Sequence, residues 1–365
     1  MKKPILILTI ILIGASLHAG NRPDKKLFSK KYIRSVMETA ACWQFDHPKH
    51  ALYDWTNGAF YAGVFAAWET TGSKKMWNNM MAMGDSNQWK AGPRLEHADD
   101  HVIGQTYIDM YRVTGDGKMI APFRARMDEF MASPYKTGEI SPITWWWCDA
   151  LFMAPPAMVK LGMTLGEDKY LRHSDRLFRE TYDLLYDKEE RLFARDIRYQ
   201  TTWKEPIREA NGEKIFWSRG NGWVLGGLVR VLEELPANDE TRPFYEGLFR
   251  EMAARVAGLQ QEDGLWRASL LDPESYPGGE ASGSGFFVYA LAWGINNGLL
   301  DRGQYLPAVR KGWKGLTTLI QPDGHVGWCQ PIGADPRKNF TPGSWEVYGT
   351  GAFLLAGSEV IKVKW

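Results

Sequence analysis

The sequence is that of a 365-residue chain whose 44 basic and 43 acidic side chains give a formal net charge of +1. Such a balance offers no strongly basic surface for nucleic acid or for an acidic membrane, so we expect neither as a partner. The three cysteines, Cys42, Cys148 and Cys329, are too few and too far apart for a disulfide framework or a CxxC metal site. Stability must therefore come from a hydrophobic core.

The N-terminus has the residue order of a secretory signal. Lys2 and Lys3 precede an apolar run at 4–15, and Ala19 ends a plausible cleavage site. The run is too short for a comfortable membrane span, and no later stretch is long enough to cross a bilayer. We therefore predict that residues 1–19 are removed and that the remaining chain is exported, either periplasmic or secreted, without membrane insertion.

Beyond that segment, apolar stretches recur along the chain and alternate with amphipathic ones. The apolar stretches lie at 58–69, 101–112, 151–160, 222–235, 285–295 and 345–360. The amphipathic stretches read most clearly at 31–43, 172–186, 242–259 and 306–320. Three of the apolar stretches lead into Gly72, Gly115 and Gly166, and glycine is the usual residue just after a helix.

Uncharged helices are buried on every side, whereas amphipathic helices bury one face. Six inner and six outer helices in alternation predict an all-α (α/α)6 barrel formed by a single domain over residues 20–365. An open superhelical array is the alternative. A short hairpin is expected at 191–199. The long loops at 263–284 and 321–344 should meet at one end of the barrel and line a cleft.

Acidic residues stand at the start of two successive inner helices. Asp99 and Asp100 open the second, and Asp149 opens the third after Trp145–Trp147. Each is explained most simply as a cap, because helix N-termini favour anions. However, both sites fall at the same end of neighbouring helices, and the tryptophans would desolvate Asp149 and raise its pKa towards that of a general acid. Most glycoside hydrolases use a pair of carboxyl groups on opposite sides of a cleft as their catalytic residues.

The starts of the fourth and fifth inner helices supply further polar candidates. Arg219 follows Trp217 in an apolar, glycine-flanked turn. Two interpretations stay open for this arginine, a structural one in which it binds loop carbonyls and a functional one in which it binds a substrate carboxylate. Glu280 and Ser282 either cap the fifth inner helix or bind substrate hydroxyls and hold the attacking water.

His97 and His101 bracket the first acid pair at a spacing that suits a metal site. In the zinc protease motif a glutamate follows the first histidine, but Ala98 occupies that position here. A third ligand with recognisable spacing is missing from the sequence, so we predict no metal and interpret both histidines as cleft or capping residues. Phosphate-binding loop motifs are also missing, and we predict no cofactor.

The chain is rich in aromatic residues, with 17 tryptophans, 15 tyrosines and 16 phenylalanines. A thick core is one explanation. Many of the tryptophans, however, stand beside Gly, Asp, Asn or Arg in the sequence. Aromatic faces next to polar groups suit the apolar and hydroxylated faces of a sugar ring. We therefore favour an oligosaccharide as the partner, with Trp146 and Trp217 as candidate contacts.

Four segments carry a family resemblance that covers most of the chain. They read HADDHVIGQTYIDMYRVTG at 97–115, WWWCDALFMAPP at 145–156, FWSRGNGWVLGGL at 216–228 and EASGSGFFVYALAWGINNGLL at 280–300. Together they resemble glycoside hydrolase families 88 and 105, the unsaturated glucuronyl and rhamnogalacturonyl hydrolases, with family 105 the closer. The family fold is an (α/α)6 barrel, which agrees with the repeat count.

The resemblance also implies a substrate and a mechanism. The substrate is the 4,5-unsaturated uronic acid that polysaccharide lyases leave at a non-reducing end. An aspartic acid protonates C4 of the enol ether, water adds at C5, and the resulting hemiketal opens and expels the rest of the sugar chain. Asp149 matches the family's principal acid, and Asp99 or Asp100 matches its partner. Arg219 and Trp217 match residues that line the uronate subsite.

The sequence departs from the family at 192–196. Close rhamnogalacturonyl hydrolases often carry a histidine there, and this chain reads Leu-Phe-Ala-Arg-Asp. The resemblance therefore leaves the leaving sugar open. Our hypothesis is a hydrolase of unsaturated uronides from lyase-cut pectic or related acidic glycans. The alternatives are a conventional inverting glycosidase on the same barrel and a non-catalytic oligosaccharide-binding protein. The sequence also leaves the oligomeric state open.

Overall fold

A computed structural model describes residues 25–365, so the predicted signal segment at 1–19 lies outside the described residues. Helices alternate between an inner and an outer layer. The inner layer contains α2 (Trp55–Thr71), α4 (Gly104–Thr114), α6 (Ala150–Met153), α7 (Pro155–Leu165), α9 (Ser218–Leu232), α11 (Ala281–Asn296) and α13 (Val347–Val360). The outer layer contains α1 (Lys30–Asp46), α3 (Lys74–Ser86), α5 (Ala121–Ala132), α8 (Asp168–Leu185), α10 (Arg242–Gly258) and α12 (Arg302–Thr318).

The inner helices form a closed ring. Each contacts the next in chain order, with α6 and α7 acting as one member, and the last helix, α13, packs along the first, α2. Glycines permit this last contact, because a Cβ added at Gly63 would lie only 2.4 Å from the carbonyl oxygen of Gly351. Closure confirms the predicted (α/α)6 barrel over the described residues and excludes the open array.

The burial of the two layers follows the sequence pattern. Every residue of α9 and of α13 is buried, as expected of helices surrounded by others. The outer helix α8 buries one face, which includes Leu177 and Phe178. Gly72, Gly115 and Gly166 end α2, α4 and α7 with φ of 69°, 73° and 67°, the left-handed conformation predicted for them.

Two predicted elements differ in detail. The third inner helix is divided at Ala154, because Pro155 has no N–H to donate and its ring would clash with the carbonyl one turn back. The hairpin lies earlier than predicted, with β1 (Tyr186–Asp187) paired to β2 (Leu192–Phe193). The predicted hairpin at 191–199 is therefore wrong in position, since Asp196 accepts a backbone hydrogen bond and starts a short 3-10 turn there.

Ion pairs line the barrel at the C-terminal ends of the inner helices, around a cavity of about 310 Å³. Lys160 of α7 is buried, and its Nζ lies 2.7 Å from Asp109 and 2.9 Å from Glu234. The opposite end, where the inner helices begin, is lined by the long loops and is open for a site. Among the helices of residues 25–365, none is both long and apolar enough to span a bilayer.

Candidate active site

Asp149 stands at the open end of the barrel, immediately before α6. It occupies the N-cap position, yet among the described residues its side chain makes no capping hydrogen bond. The carboxylate instead accepts a hydrogen bond from the Cys148 thiol at 3.3 Å and lies beside the first turn of α9. A Cβ added at Gly220 would come within 3.6 Å of Asp149 Oδ1, so the glycine gives the carboxyl group its space. Asp149 is half-buried and open to a ligand.

A second carboxyl group, that of Asp99, interacts with Asp149. Burial raises the pKa of Asp149, although the nearby Arg195, the thiol hydrogen bond and Arg219 oppose this rise. Burial and then the charge of Asp149 raise the pKa of Asp99 to about 7. Two interacting carboxylates resist simultaneous ionisation, which favours a proton held on the pair up to about neutral pH. A retained proton is what a general acid requires.

Asp100 is held in a different environment from its neighbour. Its carboxylate accepts hydrogen bonds from Arg94 N at 2.6 Å, Nε at 3.1 Å and Nη2 at 2.5 Å. A Cβ added at Gly92 would lie 2.5 Å from the Asp100 carboxyl carbon, so this side chain fits tightly into the loop. The structure therefore brings Asp99 and Asp149 together and places Asp100 as an anchor of the preceding loop.

His97 lies in the cleft next to this pair. Its Nδ1 is 3.6 Å from Asp99 Oδ2, and its ring centroid is 4.6 Å from that of Trp147. Burial, together with the charge of Arg94, lowers the pKa of His97 to about 4, so the imidazole is neutral at physiological pH. His101 is buried, and its Nε2 bonds the Leu95 carbonyl oxygen at 2.8 Å. The first histidine is thus a cleft residue and the second a loop-binding one.

Arg219 and Trp217 are buried beneath the cleft. The guanidinium donates from Nη1 to the Gln330 carbonyl oxygen at 2.7 Å and from Nη2 to that of Pro331 at 2.9 Å. It also donates to the Tyr348 hydroxyl at 3.0 Å, and the Trp217 indole donates to Gln330 Oε1 at 3.0 Å. Of the two interpretations of Arg219, these contacts fit the structural one, in which the arginine binds loop carbonyl oxygens. A substrate would have to displace the loop at 330–331 to reach its guanidinium.

Glu280 and Ser282 are fully buried at the start of α11. Glu280 accepts hydrogen bonds from the Ser282 N–H at 3.1 Å, the Ser282 hydroxyl at 2.7 Å and the Gly283 N–H at 2.6 Å. The Gln330 N–H donates to the same carboxylate at 3.3 Å. Of the two predicted interpretations, capping is therefore the one that the structure displays.

Arg195 was not singled out in the sequence but lies in the site. Its guanidinium sits over the half-buried Trp146 ring, 5.4 Å from the centroid, and donates from Nη1 to Asp196 Oδ2 at 2.8 Å. Its carbonyl oxygen accepts a hydrogen bond from Cys148 N at 2.9 Å, which ties this loop to the one that carries Asp149. The departure from the family at 192–196 was the only sequence signal for it.

A cavity of about 320 Å³ adjoins His97 at the mouth of the cleft. Its walls combine aromatic rings with polar groups, which suits a sugar ring. They are formed by Arg94, Leu95, Glu96, His97, Tyr135, Thr144, Trp146 and Trp147.

Comparison with known proteins gives consistent results. The sequence model of Glycosyl Hydrolase Family 88 matches residues 28–364. The chain is 45% identical to the unsaturated 3S-rhamnoglycuronyl hydrolase of Formosa agariphila, over 98% of each protein. It is similar to a solved glycosyl hydrolase family 88 structure from Bacteroides vulgatus, with a TM-score of 0.84, 32% identity, and coverage of 92% of this chain and 100% of that one.

A third similar structure is described as a polysaccharide lyase. It has a TM-score of 0.83 and 34% identity, and the alignment covers 91% of this chain and 97% of that one. The family match across nearly the whole described chain and the similarity to a named hydrolase agree with the carboxyl pair in the cleft. The chain therefore belongs to glycoside hydrolase family 88, and it is an enzyme that hydrolyses unsaturated uronic acid residues from the products of polysaccharide lyases.

Proposed function

We propose that this enzyme releases an unsaturated uronic acid from a rhamnose that carries a 3-sulfate, by hydrating the enol ether of the uronic acid. The observation that carries the hydration step is the Asp99–Asp149 pair, in which burial and the charge of Asp149 raise the pKa of Asp99 to about 7. The alternative pair, Asp100 with Asp149, is disfavoured because Arg94 occupies the Asp100 carboxylate.

In this mechanism Asp149 donates a proton to C4, and water adds at C5. The proton that the water loses passes to the pair formed by Asp99 and Asp149. The product is a hemiketal, which opens and releases the leaving sugar. Both carboxyl groups act on the uronic acid itself, so a conventional displacement at the anomeric carbon is not required.

The choice of leaving sugar rests on similar proteins and on the cavity beside His97. Two curated relatives, 45% and 34% identical, are named unsaturated 3S-rhamnoglycuronyl hydrolases, and a third, 25% identical, is named an unsaturated rhamnogalacturonyl hydrolase. Rhamnose is common to all three names. The Trp146 and Trp147 rings would support its apolar face, and the half-exposed Arg94 offers a cation for a sulfate.

We also propose that the enzyme works outside the cytoplasm. Support comes from Lys2, Lys3 and the apolar run at 4–15, which have the order of a secretory signal. A sulfated or pectic polysaccharide is too large to enter a cell intact, so its lyase products arise outside or in the periplasm. N-terminal sequencing of the exported protein should begin near Gly20, and a mature protein that retains Lys2 would contradict export by cleavage.

The decisive experiment uses unsaturated uronyl-rhamnose disaccharides with and without the 3-sulfate. Ultraviolet absorbance of the conjugated double bond is followed together with release of rhamnose. Loss of absorbance with release supports hydration, and a higher kcat/KM for the sulfated disaccharide supports the proposed leaving sugar. Release with unchanged absorbance would instead indicate a conventional glycosidase. Binding without either change would indicate a binding protein, and a rise in absorbance on an uncut polysaccharide would indicate a lyase.

A further inference from the structure

We propose that Arg195 is the residue that binds the carboxylate of the unsaturated uronic acid. The inference rests on the proposed proton transfer from Asp149 to C4. It assigns to Arg195 the role that the sequence pattern suggested for Arg219.

The position of Arg195 is fixed relative to the acid. Its carbonyl oxygen accepts a hydrogen bond from Cys148 N at 2.9 Å, one residue before Asp149. Its guanidinium lies over the Trp146 ring, two residues further back, at 5.4 Å from the centroid. The arginine is thus attached at both its backbone and its side chain to the segment that carries the acid, and it is already in place before a substrate binds.

The guanidinium retains an unused donor. Nη1 bonds Asp196 and Nε is enclosed, whereas Nη2 is not enclosed and makes no hydrogen bond to another residue of 25–365. A substrate carboxylate that enters the cleft can accept hydrogen bonds from Nη2 without displacing another residue. The side chain remains 16% exposed, so a ligand in the cleft reaches it.

Arg219 differs from Arg195 in its exposure and in the use of its terminal nitrogens. It is 0% exposed, and both of its terminal nitrogens donate to loop carbonyl oxygens. Its Nε also lacks a partner within the described chain, but it is enclosed with the rest of the side chain. Of the two arginines whose charges act on Asp149, Arg195 is therefore the one that a substrate contacts without rearrangement.

The chemistry of the substrate requires a cation at this place. The double bond joins C4 to C5, and the carboxylate is attached to C5. An acid placed to protonate C4 therefore lies next to the carboxylate, and the cation that binds the carboxylate must lie beside the acid. Arg195 meets this condition, since its backbone bonds Cys148, the residue before Asp149. Burial lowers the pKa of the Arg195 guanidinium, and the nearby charge of Asp149 raises it.

The proximity of Arg195 to Asp149 links binding of the substrate carboxylate to proton transfer. Besides burial, which raises the pKa of Asp149, the nearby charges are Arg195 and Arg219, which lower this pKa, and Asp196, which raises it. Asp99, the other carboxyl group of the pair, also interacts with Asp149. A bound carboxylate neutralises Arg195 and so weakens the strongest of the lowering charges. The pKa of Asp149 then rises further, which favours the protonated acid when the substrate is in place.

The test compares an unsaturated disaccharide with its neutral methyl ester in the wild-type enzyme and in Arg195→Gln. We expect kcat/KM of the variant to fall about 100-fold for the acid, mainly through KM, and to change little for the ester. The alkaline limb of the pH profile with the ester should move to higher pH, because the variant lacks the cation that lowers the pKa of Asp149. Equal losses on acid and ester, or no loss on the acid, would overturn the proposal.

Arg198→Gln is the matched control, because Arg198 bonds the same Asp196 carboxylate through Nε and Nη2. Arg198→Gln should keep wild-type rates on the acid and on the ester. If its kcat/KM for the acid fell as far as that of Arg195→Gln, the loss would be due to the altered environment of Asp196, and the proposal would fail. Repeating the series on sulfated and unsulfated disaccharides separates the two anions, and a loss confined to the sulfated substrate would assign Arg195 to the sulfate and refute our proposal.

Arg195→Lys covers the case in which the glutamine variant fails to fold. It keeps the charge but loses the forked geometry, so the ratio of acid to ester rates should fall below that of the wild type. An unchanged ratio would overturn the proposal. If the wild-type enzyme were inactive on every unsaturated disaccharide, the hydration mechanism itself would be contradicted. That result is distinct from the outcomes that test Arg195, all of which require an active wild-type enzyme.

Discussion

The carboxyl group of Asp99 lies close enough to Asp149 for the charge of one to raise the pKa of the other. With burial, this interaction brings the pKa of Asp99 to about 7. Asp149 directly precedes α6, whereas Asp99 lies in a short 3-10 turn, Ala98–His101, before α4 and not, as predicted, at the start of that helix. The turn packs against α6, so the barrel itself holds the pair together. Five predictions follow from the environments of the polar residues around this pair.

Replacing Asp149 by Asn should nearly abolish turnover. The amide has the size of the carboxyl group but cannot donate a proton of suitable acidity to C4, and general acids contribute roughly 100- to 10,000-fold. The rate is measured by loss of the substrate's ultraviolet absorbance. Substrate affinity and the thermal unfolding midpoint should remain close to those of the wild type. A variant with near-wild-type kcat would refute the assignment of Asp149.

Asp99→Asn and Asp100→Asn should have contrasting effects, although the two residues are adjacent. Asp99→Asn should lower kcat by about 100-fold or more with little loss of stability, because this carboxyl group is paired with the acid. Asp100→Asn should chiefly lower the thermal unfolding midpoint, because it weakens the charge-assisted contacts to Arg94. Exchanged phenotypes would assign Asp100 as the partner acid.

The sequence was sufficient to predict most of the fold. Charge-poor stretches at regular intervals identified the inner helices, and the left-handed glycines after them were correctly placed because their role is local. The hairpin was misplaced, since its two strands are only two residues each and lack a pattern long enough to recognise. Whether the chain is a single domain, as predicted from its length and repeat count, stays a prediction.

The site was less predictable, because it depends on contacts between distant loops. The sequence identified Asp149 but did not show which of Asp99 and Asp100 is its partner. The structure distinguishes them because Arg94, six residues before Asp100, folds back and bonds the Asp100 carboxylate. The sequence could not show that a loop at 330–331 buries Arg219. Arg195 was overlooked because its role depends on a backbone hydrogen bond to Cys148, and such contacts leave no residue pattern.

The contribution of Asp99 to stability should decrease as the pH rises from about 4 to about 7, whereas histidines such as His97, whose pKa is lowered to about 4 by burial, contribute in the opposite direction. The pKa of Asp99 is about 7 in the folded enzyme but 3.8 when unperturbed. Between these values Asp99 binds more protons in the folded state than in the unfolded state, so its contribution to the free energy of unfolding falls with increasing pH. Chemical denaturation across this range would measure the slope. The slope for Asp99→Asn should be more positive than that of the wild type, because the variant lacks this contribution, and identical slopes would contradict the raised pKa of Asp99.

Glu280→Ala should destabilise the enzyme by about 2–4 kcal/mol, because three backbone or hydroxyl donors at the start of α11 lose their acceptor. Glu280→Gln keeps an acceptor oxygen and should lose less. Denaturant titration gives both values. If Glu280→Ala instead unfolded like the wild type while kcat fell sharply, the residue would have a catalytic role rather than a capping one.

Arg219→Ala should destabilise the fold and affect charged and neutral substrates equally. The guanidinium joins α9 to the loop at 330–331 and to Tyr348. Within the described part of the chain, its removal leaves the Pro331 carbonyl oxygen without a donor and the Gln330 carbonyl oxygen with the Tyr348 hydroxyl alone. A loss of about 3 kcal/mol is expected for such a buried, charge-assisted network. The comparison of an unsaturated disaccharide with its methyl ester then separates the two roles. If Arg219 anchors the loop, kcat/KM falls by the same factor for both. A loss confined to the acid would show that Arg219 binds the carboxylate, and the loop at 330–331 would then have to move when the substrate enters.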